Sequence, residues 1–123
     1  MIKGKVMDQE LDTEHIRELE EIMESEFADF VRNYISSAQT QLAEASTALN
    51  EGDSDALVRA LHSLKGSSRS VAAERFAAYC GTLENKARHG KLAEVRSALT
   101  SLAGHYENVC RALNQYIADR QGS

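Results

Sequence analysis

The sequence predicts an all-α protein, an antiparallel four-helix bundle with a short additional N-terminal helix. Three observations predict it. There is no proline and β-branched residues never run together, so strand alternation is hard to find. Apolar residues recur at steps of three and four over four long segments, each giving a helix one apolar stripe. The joins between these segments are short and carry cap residues, which makes sequential helices antiparallel neighbours. The bundle domain is expected over 9–120, between tails at 1–8 and 121–123.

A short first helix is expected over about 13–23, with Ile16, Leu19, Ile22 and Met23 as its apolar residues and Asp12 or Thr13 as its cap. The second runs over roughly 26–50, on a stripe of Phe27, Phe30, Val31, Tyr34, Ile35, Ala38, Leu42, Ala45 and Leu49. Gly52 is suited to end it and Asp53 to cap the next. That third helix, about 54–72, turns Leu57, Leu61, Leu64, Ser68 and Val71 inward. A fourth, about 74–89, has Phe76, Tyr79, Cys80, Leu83 and Ala87 inward, and His89-Gly90-Lys91 closes it. The last, about 91–119, repeats Leu92, Val95, Leu99, Leu102, Tyr106, Val109, Leu113, Tyr116 and Ile117. Gly81 and Gly104 fall inside helices, where close helix approach is the expected reason.

Composition narrows the function. Of 123 residues, 42% are hydrophobic and 27% charged, a globular balance able to bury a core without staples. Nineteen acids against 14 bases give a net charge of −5, which disfavours a general nucleic-acid binder. No apolar run approaches the ~20 residues that span a bilayer, and no signal peptide is visible, so a cytoplasmic protein is expected. Cys80 and Cys110 fit neither metal spacing nor a disulfide framework and read as thiols on apolar faces. The four histidines form no HxxxH or ExxH pair, so no metal site is expected.

The chemistry lies in the third helix, in the run Leu61-His62-Ser63-Leu64-Lys65-Gly66-Ser67-Ser68-Arg69-Ser70. At about 100° per residue, His62 points away from the core stripe. Asp55, Val58, Arg59, Lys65, Gly66 and Arg69 share its face. An outward histidine thus sits among cations in an acidic protein. A glycine there costs a helix about 1 kcal/mol relative to alanine, and what it offers in return is close approach of another backbone. A phosphoryl group on an imidazole would carry close to two negative charges, which Lys65 can face while Arg59 and Arg69 extend the field. A neutral imidazole is a competent nucleophile near neutral pH. No paired acids, phosphate-cradling loop or metal ligands accompany it. The site reads as one phosphorylated by something else. His15, His89 and His105 have no such neighbours and read as surface or boundary residues.

The stretch His62-Ser63-Leu64-Lys65-Gly66-Ser67-Ser68 resembles the HxLKG signature of histidine-containing phosphotransfer (HPt) domains. Gly52-Asp53 resembles the family's turn before the histidine helix, Cys80, Leu83 and Glu84 its C-x-x-L-E stretch, and Phe27, Phe30 and Tyr34 its aromatic second helix. The resemblance implies a phosphocarrier, not an enzyme, that moves a phosphoryl group between receiver-domain aspartates in a multistep phosphorelay. His62 would be the phosphoacceptor through the exposed Nε2, Lys65 and Arg88 the cations at the phosphate, and Gly66 the docking glycine. Val58, Arg59 and Arg69, with Ile16 and Leu19 from the first helix, would complete the docking surface. The partners implied are response-regulator receiver domains and a hybrid sensor histidine kinase. The receiver brings the magnesium, so no cofactor is expected here. A monomer is expected because one bundle closes its own core, and Met1 with a close after the last helix favours a standalone form over a domain of a hybrid kinase. Two departures stand out. Many members have glycine where this chain has Ala72, which suggests altered packing at that helix end. They also often have a small residue where it has Arg69. The alternative is a helical docking module that binds receivers or other partners without being phosphorylated.

Overall fold

Cap chemistry sets where each helix starts and stops. In the computed structural model, which describes residues 9–121, α1 spans Thr13–Met23, α2 Phe27–Glu51, α3 Ser54–Ser70, α4 Glu74–Arg88 and α5 Leu92–Gln121. A 3₁₀ turn, Glu24–Glu26, joins α1 to α2. The expected tail over 1–8 lies outside the described residues, as do positions 122–123, while Gln121 closes α5. Asp12 caps α1 by accepting from the His15 N–H at 3.0 Å, and Asp53 caps α3 by accepting from the Ala56 N–H at 3.0 Å.

Three helices end in the same motif. At the ends of α2, α3 and α4, the residue after the turn donates back five positions and its predecessor donates back three, across the turn. The left-handed position of this motif is Gly52 at φ +69° and Gly90 at φ +73° in two of them. In the third it is Ala72, at φ +66° and fully buried. Val71 and Ala72 therefore leave the helix after Ser70, short of the boundary expected at 72. An L-residue in this conformation costs roughly 1–2 kcal/mol. The Ala72 N–H to Arg69 oxygen (3.1 Å) and Ala73 N–H to Ser68 oxygen (2.9 Å) bonds offset it, with burial of the methyl group. The altered packing expected from the missing glycine is thus a strained but complete cap.

Helices α2 to α5 pack up and down, each against its sequence neighbours, and α5 closes the ring on α2. The core holds the expected stripes, from Val31, Tyr34 and Ala38 through Leu57, Leu61 and Leu64 to Leu102, Val109 and Leu113. The buried tyrosine hydroxyls find partners. Tyr34 and Ser68 hydroxyls meet at 2.7 Å between α2 and α3, and the Tyr106 hydroxyl donates to the Ile35 carbonyl at 2.6 Å between α5 and α2.

Helix α1 closes the end of the bundle where α2 begins and α5 ends. Ile16 enters the core, the Asp12 N–H donates to the Ala72 oxygen at 2.8 Å, and Glu20 accepts from the Tyr116 hydroxyl at 2.8 Å. Ile22, expected among the apolar residues of α1, instead points to solvent and is 79% exposed. It lies out of phase with Ile16 and Leu19, which take the inward face. Gly81 does mark a close approach, since a Cβ there would lie 3.2 Å from Lys65 Cδ. Gly104 does not, as a Cβ there would meet open space.

Candidate functional site: a histidine, its carboxylate anchor and two cations

Four side chains from two helices form one polar cluster. His62 and Lys65 come from α3, Glu84 and Arg88 from α4. His62 lies outside the core stripe, with its side chain 63% exposed. Glu84 lies on the inward stripe of α4, four residues after Cys80, and is 4% exposed. The two meet at 3.0 Å between His62 Nδ1 and Glu84 Oε2. Arg88, one turn further along α4, donates to the same Oε2 at 2.7 Å. Lys65, one turn along α3, places Nζ 2.9 Å from Oε1. Its stem crosses α4 at Gly81, where an added Cβ would stand 3.2 Å from Lys65 Cδ and the stem would have to give slightly.

The electrostatics follow from these distances. Burial alone would raise the Glu84 carboxyl, but hydrogen bonds from Lys65, Arg88 and His62 outweigh it and bring its pKa from 4.5 down to about 2. Glu84 is therefore an anion at neutral pH and can only accept hydrogen bonds. The proton of the neutral imidazole then sits on Nδ1, which donates to Oε2, and the lone pair sits on Nε2, directed away from the anchor. With the imidazole in its neutral form, one carboxylate and two cations leave a net charge of about +1, before any incoming phosphoryl group of about −2.

A pH dependence follows. The folded pKa lies below the unfolded one, so the native state binds fewer protons and this stabilisation is present above pH 4.5. It is lost as pH falls toward 2. Urea unfolding should find wild type more stable than Glu84→Gln at pH 7 by on the order of 3 kcal/mol, with the gap shrinking toward pH 2.5. A gap independent of pH would remove the charge from the explanation.

The other expected site residues fall in different places. Gly66 is exposed with open space where a Cβ would stand, so nothing in this protein requires its bareness. Val58 is half-buried and lines a cleft between α3 and α4 with Arg59, Ala87 and Arg88. Arg59 is exposed and makes no ion pair or side-chain hydrogen bond among the described residues. Arg69 faces Glu74 at 3.9 Å, and Glu74 also meets His15 at 3.4 Å.

One expectation is corrected. Ile16 is 1% exposed, so it serves the core and offers no docking surface. Leu19 is half-buried and packs against the core. The ties of α1 reach Ala72, Glu74 and the end of α5. Ala72 lies ten residues, roughly 15 Å, along the chain from His62.

Sequence reasoning missed Glu84 as a site residue. The signal was an acid on an apolar stripe, in phase with Phe76, Cys80 and Ala87. A buried acid demands partners, and α3 supplies them. The thiols do not compete as nucleophiles. Burial pushes Cys80 up to about 12 and raises Cys110 as well. No cluster of three or more metal-ligating side chains occurs among the described residues.

The Hpt domain family model matches residues 29–120, which takes in nearly all of α2 and the whole of α3 and α4. The chain belongs to the Hpt domain family. Among solved structures it is similar to histidine-containing phosphotransfer protein B (HptB) from Pseudomonas aeruginosa PAO1. The TM-score is 0.86 at 28% identity, covering 94% of this chain and 98% of that one. A rice structure titled as a histidine-containing phosphotransfer protein aligns with a TM-score of 0.81 at 20% identity, over 92% of this chain and 85% of that one, and shows the shared fold. No curated protein matches the sequence significantly. Membership gives this Hpt chain a histidine phosphotransfer role of the phosphocarrier kind. No helix among its described residues is long and apolar enough to cross a membrane.

Proposed function

We propose that His62 Nε2 takes a phosphoryl group from the aspartyl phosphate of one receiver domain and yields it to the aspartate of another. The observation that carries this reading is the anchored imidazole: Nδ1 is bound to a buried carboxylate, while the exposed ring directs Nε2 to solvent. In the acceptance step the Nε2 lone pair attacks phosphorus. The P–N bond forms, the P–O bond to the receiver aspartate breaks, and the aspartate leaves as a carboxylate. The ring gains positive charge, which Glu84 stabilises across the Nδ1–H bond, and the return step reverses each change.

Lys65 and Arg88 are the cations placed to face the phosphoryl oxygens. Side chains on a helix lean toward its N-terminus, so Lys65, three residues after His62, leans back over the imidazole. The receiver brings the magnesium and this chain needs no cofactor of its own. A hybrid sensor histidine kinase carrying such a receiver is the upstream partner, both acting in the cytoplasm, and the chain works as a monomer.

Gly66 separates docking from folding. Gly66→Ala fits the free protein and should stabilise it by about 1 kcal/mol, as alanine is the better helix former. The same methyl group would stand between α3 and a docked receiver and slow transfer. Thermal unfolding and transfer rates should therefore move in opposite directions. Transfer at the wild-type rate would take Gly66 out of the interface.

The proposal is tested by mixing phosphorylated receiver domains with this protein and resolving the products on a phosphate-affinity gel. An acid-labile, base-stable band is expected for at least one receiver. Its absence across a panel with confirmed phosphorylation would favour the docking-module alternative.

A further inference from the structure

Cations surround His62, but they are not equivalent. Lys65 and Arg88 are held by Glu84 at 2.9 and 2.7 Å, and Arg69 faces Glu74. Arg59 alone of the four has no carboxylate partner among the described residues. It is exposed, one turn before His62 on the same face of α3. It also stands between two depressions. On one side is the α3–α4 cleft with Val58 and Arg88. On the other is an α2–α3 groove lined by the small residues Ala48, Ala56, Ala60 and Ser63 and by Glu44 and Glu51, neither of which pairs with Arg59.

Direction separates its role from that of Lys65. A side chain preceding His62 leans toward the start of α3, away from the imidazole, whereas Lys65 leans toward it. The guanidinium of Arg59 is thus displaced from the phosphoryl position and directed at whatever covers the N-terminal half of α3. An unpaired, exposed guanidinium beside the reacting histidine suits a carboxylate on that partner, in the bidentate geometry arginine favours.

From this we infer that Arg59 is a specificity residue of the docking surface, receiving an acidic side chain of the receiver rather than the phosphoryl group. The inference rests on the phosphocarrier reading. It deepens that reading by separating the cation that selects the partner from the cations that face the phosphate.

The test uses the full chain and a receiver that phosphorylates it. Arg59→Ala should lower the second-order transfer rate about 5- to 10-fold at low salt and flatten its salt dependence. Arg59→Glu should lower it further. Arg59→Lys should recover part of the loss. The transfer rate at saturating receiver and the lifetime of the phosphorylated protein should not change. Arg111→Ala, on α5 away from α3, serves as the control for net charge and should leave the rate within about twofold.

An Arg59→Ala rate and salt slope equal to wild type would overturn the assignment. So would a change in phosphoprotein lifetime or saturated rate, since either places Arg59 at the phosphoryl group. Failure of wild type to accept phosphate from any receiver is a different result, and counts against the phosphocarrier reading itself.

Discussion

His62→Gln is expected to abolish phosphoryl acceptance while leaving the helical circular dichroism unchanged. The loss should be complete because nothing else at the site is a competent nucleophile. Lys65 is ion-paired with Glu84, Glu84 is buried and occupied by three partners, and Cys80 is buried with its thiol raised to about 12. The fold should survive because the imidazole lies outside the core and is mostly exposed. Glutamine can also still reach toward Glu84 with an amide donor. Stability should therefore stay within about 1 kcal/mol of wild type. A variant that unfolds would make His62 structural, and one that still accepts phosphate would move the acceptor elsewhere.

Glu84→Ala should produce the second-largest effect, and on two axes. The carboxylate fixes which ring nitrogen carries the proton and stabilises the charge the ring gains. Its loss should slow acceptance on the order of 10- to 100-fold, the scale seen when the carboxylate partner of a metal-bound histidine is removed. Removal also leaves Lys65 and Arg88 without their shared partner, but both reach water, at 25% and 55% side-chain exposure. The stability cost should thus stay nearer 3 than 5 kcal/mol. Single-turnover transfer and urea unfolding measure the two axes separately. Acceptance at the wild-type rate with only stability lost would reduce Glu84 to a structural ion.

Much of the fold was legible because its determinants are local. The stripes from Phe27 to Leu49 and from Val95 to Ile117 lie at helical spacing, and Gly52, Asp53 and Gly90 mark boundaries by their own chemistry. Ala72 is legible as a departure, but its left-handed backbone is not, because alanine carries no signal for a conformation it rarely adopts. The site was half legible. His62, Lys65 and Gly66 share a single helix face, and one-helix geometry is enough to place them together. The link to α4 depends on the register between helices, which periodicity does not specify. From the sequence, Glu84 therefore stands in a motif without a role, and only the family resemblance points Arg88 at the phosphate. Ile16 reads as a partner contact in the sequence for a related reason. The apolar face of a short helix suits a core and an interface equally, and the close of the bundle end decides for the core.

By holding Nδ1, Glu84 leaves Nε2 of His62 as the acceptor under this mechanism. Nitrogen-detected NMR of the histidine-labelled, phosphorylated protein tests it most directly. Phosphorus coupling is expected at Nε2 of His62, with a protonated Nδ1 and no coupling at His15, His89 or His105. Coupling at Nδ1, or a phosphoryl group on another histidine, would contradict it.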